Sequence, residues 1–109
     1  MTVESLVKGT DFSVVCMPSP DKEVSGAYIG DLLSWVMGKA ETDNVWITIM
    51  SNINIVAVAS LVDVSCIILA EGVKPDEDAL KAAVAKGINV LSTTESAYGI
   101  AVAISGIIS

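Results

Sequence analysis

The chain contains no histidine and no arginine. Without His it has no side chain that titrates near neutral pH unaided, so a His general base, a Ser-His-Asp or Cys-His arrangement and a His-ligated metal are excluded. Without Arg it has no bidentate guanidinium clamp for phosphate or carboxylate. The six basic residues, Lys8, Lys22, Lys39, Lys74, Lys81 and Lys86, are scattered. An anion would have to rest mainly on backbone N–H groups and hydroxyls. Charge is scarce altogether, at 17% of residues with a net value of −7, which excludes a counterion-displacing nucleic-acid surface. Cysteine is limited to Cys16 and Cys66, each in an apolar, strand-like segment. With no Cys-x-x-Cys spacing they read as reduced, buried thiols. The N-terminus has neither the basic start nor the continuous apolar segment of a signal peptide, so a cytoplasmic address is expected.

What is abundant is apolar: 52% of the residues are hydrophobic. A chain of 109 residues makes a single domain, here residues 1–109, with a real core and little charge to cover its outside. Apolar surface left exposed predicts a partner, most simply a second copy, and hence a homodimer. The uncharged run Val45–Val62 and the apolar stretch to Ala70 are long enough to cross a bilayer. Yet Asn52, Asn54 and Asp63 interrupt them and no basic cluster flanks either end. A buried strand, helix and strand are predicted instead, with no membrane contact.

The remaining pattern alternates. A helix is predicted from Thr2, its N-cap, to Lys8, with Gly9 as its stop. Strands are predicted over Asp11–Met17 and Val24–Ile29, with the Pro18–Glu23 loop between them. Asp31 is expected to cap a helix that ends at Gly38. Val45–Met50 is a central strand, Ile53–Val62 a helix capped by Ser51 or Asn52, and Ser65–Ala70 a further strand. A helix opening at Pro75 or Asp76 and closing before Gly87 turns Leu80, Ala83 and Val84 inward. Ile88–Leu91 is a short strand and Ser96–Ile107 a closing helix, with Ser92 or Thr94 as its cap. This order predicts an α/β fold, a three-layer α/β/α sandwich on a mainly parallel sheet of four to five strands.

Catalytic templates fail. Gly38-Lys39 is followed by Ala40 and preceded by Leu33 where a phosphate-binding loop needs glycine. Gly26, Gly30 and Gly38 have the wrong spacing for a dinucleotide fingerprint, and no Gly-x-Ser-x-Gly elbow occurs. No enzyme activity, no cofactor and no metal are expected. Three weaker constellations remain. Ser51, Asn52 and Asn54 lie where a strand meets a helix N-terminus, a usual ligand position, and serve equally as an ordinary cap. Ser92, Thr93 and Thr94 place three hydroxyls at another strand end, with plain capping as the simpler reading. Gly26, Tyr28, Gly30 and Asp31, with Trp35 one turn on and Tyr98 elsewhere, form a candidate pocket or interface. Trp35 and Trp46 are read as core or interface residues.

The run from Gly26 to Gly38, with Trp46–Thr48, Asn54–Leu61 and Gly87–Tyr98, resembles the short, stand-alone DRTGG-domain proteins of bacteria. The resemblance covers roughly residues 5 to 105. The Asp-Arg-Thr-Gly-Gly string itself is absent, as in other short forms, and a His is expected where Asn52 stands. The resemblance implies a fold similar to the N-terminal domain of HPr kinase/phosphatase without its kinase activity. It also implies an accessory regulatory role, since DRTGG modules occur beside cystathionine-β-synthase-type domains in regulated pyrophosphatases and in some phosphotransacetylases. Some short forms are encoded near iron-only hydrogenase subunits. The expected function is thus a non-catalytic regulatory module, a homodimer that binds a small metabolite or nucleotide. The alternative is a ligand-free dimeric scaffold docking a larger enzyme complex.

Overall fold

The strand β3 (Val45–Thr48) buries all four of its side chains, so both faces of its sheet must be covered. In the computed structural model, which describes residues 1–108, they are. The elements run α1 (Val3–Lys8), β1 (Ser13–Cys16), β2 (Ala27–Ile29), α2 (Leu33–Lys39), β3, α3 (Asn54–Val62), β4 (Cys66–Leu69), α4 (Glu77–Lys86), β5 (Val90–Ser92) and α5 (Ala97–Ser105). The sheet has the order β1-β5-β4-β3-β2. Its pairs β2–β3, β3–β4 and β4–β5 are parallel, and β1 adds to β5 antiparallel.

Period-two alternation divides the core in two. Trp46, Ile67, Leu69 and Val90 face Val36 of α2, Ile55, Val56 and Ala59 of α3, and Ala79 and Ala83 of α4. Val45, Ile47, Cys66, Ile68 and Leu91 face Val3 and Leu6 of α1 and Ile100 and Ile104 of α5. The three-layer sandwich and the mainly parallel sheet are as the sequence predicts. Three helices cover one face and two cover the other, so the β2 end of the second face stays thinly covered: Ala27 is exposed and Ile29 is 49% exposed.

Several local expectations are corrected. Asp31 does not cap α2; Leu32 holds the N-cap position without a side-chain bond, while the Asp31 carboxylate turns to β3. The helix α2 runs through Gly38 to Lys39, and Gly38 faces open space, where an added Cβ would meet nothing within 4 Å. The α3 N-cap is Ile53, and Asn52 serves from one residue earlier, its Oδ1 accepting the Asn54 N–H at 2.9 Å. The inner face of α4 is Ala79 and Ala83, four residues apart; Leu80 is half-buried beside them, and Val84, about 100° further round the helix from Ala83, is 54% exposed. The cap of α5 is neither Ser92 nor Thr94 but Ser96, whose Oγ accepts the Gly99 N–H at 3.1 Å. Thr2 caps α1 as expected, accepting from the Ser5 N–H at 3.2 Å.

Candidate functional site

The helices α2, α3 and α4, which link successive parallel strands, all lie against one face, and after β5 the chain passes to the other face as α5. A crevice forms where successive helices part to opposite sides of a sheet. In this topology that place is the C-terminal end of β5, not of β3.

Beside that strand end, on the face covered by α1 and α5, opens a cavity of about 860 Å³. One wall is the end of α1 and the turn after it, Lys8 to Phe12; the other is Thr93 to Ser96 with Tyr98, Gly99, Val102 and Ala103 of α5. The Thr93–Ser96 loop is held from both sides. The Thr93 N–H donates to the Leu69 carbonyl at 3.1 Å, and the Thr93 and Glu95 carbonyls accept from the Gly72 N–H at 2.9 Å and the Glu71 N–H at 2.8 Å. Glu71 and Gly72 hold left-handed conformations, φ 60° and 75°, which turn those two N–H groups toward the loop. Thr93 Oγ1 accepts the Glu95 N–H at 3.2 Å. Glu95 lies over Gly99, where any Cβ would run into its carboxylate, so its charge sits on the first turn of α5. Tyr98 projects into solvent, 78% exposed. Lys8, the one cation lining this cavity among the described residues, pairs with Glu4 at 3.1 Å.

The structure therefore brings Thr93, Thr94 and Tyr98 together in one cavity. Ser92 precedes them as the last residue of β5. Ser51, Asn52 and Asn54 lie outside it, at the end of β3, one strand beyond β4 and about 10 Å across the sheet by strand spacing. Asn54 is exposed, and the Ser51 carbonyl accepts the Asp76 N–H at 2.9 Å, joining that end to the start of α4. The lining residues Lys8, Asp11, Phe12, Glu95 and Ser96 were not readable from spacing, because the pairing of β1 with β5 that brings the first two segments together is long-range.

The other constellation stands at the opposite edge. Gly26, φ 72°, turns the chain into β2, and the Tyr28 ring folds over Gly30, where a Cβ would meet its Cε2 at 2.8 Å. The buried Trp46 Nε1 donates to the Gly30 carbonyl at 2.9 Å. Asp31 Oδ1 accepts from the Thr48 hydroxyl at 2.8 Å and the Ile49 N–H at 3.0 Å. Trp35 is 58% exposed, with the Lys39 ammonium 5.0 Å from its ring centre. An apolar groove of about 400 Å³ runs along β2 between Ala27, Ile29 and Ile47 on the sheet and Ala101, Ile104 and Ser105 on α5.

Both thiols are free. Burial pushes Cys66 up to about 12, against a lesser opposite pull from the Ser65 hydroxyl. Burial also raises Cys16, which donates from Sγ to the Ile88 carbonyl at 3.4 Å. Among the described residues, no cluster of His, Cys, Asp or Glu is placed to hold a metal ion and no helix is long and apolar enough to cross a membrane.

The DRTGG domain family model matches residues 6–107. The chain belongs to the DRTGG domain family. This DRTGG domain is similar in structure to the CBS and DRTGG domains of the regulatory region of Clostridium perfringens pyrophosphatase, solved in complex with the activator diadenosine tetraphosphate. The TM-score is 0.71 at 16% identity, over 94% of this chain and 45% of that one. The DRTGG chain thus spans under half the length of its structural neighbour, and at this identity the likeness is one of fold. No curated protein matches the sequence.

Proposed function

We propose that the protein is a non-catalytic regulatory module, a homodimer that senses a small metabolite or nucleotide in the cavity at the end of β5. The observation that carries this reading is the cavity's chemistry. Thr93 and Thr94 supply hydroxyls, Tyr98 a solvent-facing ring, and Lys8 a single cation. A ring with an open face suits a stacked base, and hydroxyls suit a ribose. One ammonium beside Asp11 and Glu95 suits at most a monophosphate, so a nucleoside or mononucleotide fits better than a polyphosphate. Ser51, Asn52 and Asn54, about 10 Å away, would reach only the far end of a longer ligand. The fold neighbour's place in a nucleotide-activated regulatory region supports the same class.

The test is thermal unfolding with adenosine, AMP, ATP and diadenosine tetraphosphate. At 100 times the dissociation constant a ligand adds about 2.7 kcal/mol, which for a chain of this size raises Tm by roughly 10 °C. Thr94→Ala and Tyr98→Ala should abolish that rise while leaving the unliganded Tm within a few degrees. A rise untouched by both variants would place the ligand elsewhere. No rise with any compound would favour the docking scaffold.

A further inference from the structure

The sheet has two edges of different character. On β1 the ladder is broken by a register shift between Val14 and Cys16, and Pro18 and Pro20 follow closely. Bulges and prolines are the usual devices that keep an edge strand from pairing with another chain. On β2, Gly26-Ala27-Tyr28-Ile29-Gly30 has no charge, no proline and no register shift.

The hydrogen bonds of β2 define what its edge offers. The Gly26 carbonyl accepts the Val45 N–H at 3.0 Å and the Gly30 N–H donates to the Ile47 carbonyl at 3.2 Å, so the even-numbered residues face β3. Ala27 and Ile29 by alternation turn their N–H and C=O groups outward. That pattern is self-complementary about a twofold axis through Tyr28. Antiparallel pairing sets Ala27 of one copy against Ile29 of the other, each pair exchanging both backbone hydrogen bonds.

Uncovered apolar surface borders this edge on both faces. On one face lies the groove between β2 and α5. On the other, Leu33, Val36 and Ala40 of the α2 segment pack into the core, and helical spacing puts Leu32 and Trp35, 61% and 58% exposed, on the opposite flank. At roughly 200 Å² for a large side chain, Ile29, Leu32 and Trp35 at half exposure offer about 300 Å². A standard interface takes about 800 Å² from each partner, and the strand backbone and groove supply the balance. With each copy carrying −7, an edge strand that has no charge of its own lets two copies approach there without like charges meeting.

We propose that the second copy joins edge to edge through β2, making one continuous sheet across the dimer and covering the groove. This gives the homodimer of the proposed function its surface. It also supplies a route for regulation: α5 lines the sensing cavity with Tyr98 and Val102 and the dimer groove with Ala101 and Ile104.

The experiment measures mass in solution by sedimentation at 10 and 100 μM. The unmodified chain should sediment at twice its 11.3 kDa, and Ile29→Lys, with circular dichroism unchanged, as a monomer. Tyr28→Cys should form an intermolecular disulfide, because opposed residues of a non-hydrogen-bonded pair lie about 4.5 Å apart at Cα, within disulfide reach. Val14→Cys on the other edge should not. A monomeric unmodified chain, or a dimer that persists in Ile29→Lys, overturns the proposal whatever the cysteine variants do. AMP binding by the Ile29→Lys monomer is read separately by thermal shift. If it persists, the sensing reading stands even where the interface is wrong.

Discussion

The Asp31 carboxylate holds the Thr48 hydroxyl at 2.8 Å and ties the start of α2 to the end of β3. The same oxygen accepts the Ile49 N–H, and Thr48 Oγ1 in turn accepts the Met50 N–H at 3.2 Å. Three successive residues of the strand end thus hang on one carboxylate. Asp31→Ala should cost about 1–2 kcal/mol, the range for exposed, charge-assisted hydrogen bonds. Asp31→Asn keeps an acceptor oxygen and should cost less than half as much. Urea midpoints of the two variants check this, and equal losses would assign the effect to charge rather than to acceptance.

Asn89 should be the least replaceable polar side chain. It is 1% exposed, donates to the Ser19 carbonyl at 2.7 Å and the Ser65 carbonyl at 3.0 Å, and accepts the Ser19 N–H at 2.9 Å. Asn89→Leu matches its bulk but strands those backbone groups. At ~1–3 kcal/mol for each unpaired group, a loss of about 3 kcal/mol or more is expected. Chemical denaturation measures it, and a loss under 1 kcal/mol would mean that the Pro18–Pro20 loop re-pairs on its own.

Cys66 makes stability fall in alkali. Its thiol is held neutral by burial up to about 12 in the fold, from an ordinary value of 9.0. A raised folded value means stability is intact below about pH 9 and declines as pH rises toward about 12. At 1.36 kcal/mol per unit the full loss is on the order of 4 kcal/mol. Lys22 adds to the same trend. Burial alone would lower its ammonium, but the hydrogen bonds and charges of Asp63 and Asp43, at 2.8 and 3.4 Å, outweigh burial and raise it. Cys66→Val should flatten the decline between pH 9 and 11, as read by urea titrations at each pH. In the native chain at pH 8, a thiol reagent should label Cys16 before Cys66.

The two tryptophans should separate by quenching. Trp46 is fully buried with its indole N–H bonded, whereas Trp35 stands open beside Lys39. Trp35→Phe should leave a blue-shifted emission that iodide does not quench. Trp46→Phe should leave one that is quenchable in the Ile29→Lys monomer and shielded in the dimer, and should also cost stability, since the Gly30 carbonyl loses its donor.

The layers were legible in the sequence because burial on both faces leaves a mark. Val45–Thr48 and Cys66–Leu69 read as continuous apolar runs, and Gly87 and Thr2 punctuate their helices by local chemistry that needs no partner. What was missed depended on partners far along the chain. Asp31 before two leucines looks like a cap until Thr48 is known to lie across from it. Val84 is apolar at a plausible position, yet close packing through Ala79 and Ala83 decides which side turns in. Thr93 and Thr94 were recognisable as a polar strand end, but nothing local ties Lys8–Phe12 to them or moves Tyr98 from the group of Tyr28 and Trp35 to theirs. The ends of β3 and β5 also look alike in sequence, and only the layer assignment of α5 separates them.

That β1 finds its place beside β5 sets an order of assembly. Val45 and Cys66 need close only a short loop to pair, whereas Ser13 must find Ser92 near the other end of the chain. Loop-closure entropy makes that step roughly 1 kcal/mol dearer than the closures within the parallel ladder. The α1–β1 segment is therefore expected to dock last and to open first, and hydrogen exchange at Val14 and Val15 should run ahead of every amide of β3 and β4. The segment carries one wall of the cavity at the end of β5. A ligand bridging the two walls would fasten the part of the molecule that most readily comes loose, and its occupancy would be written in slowed exchange there.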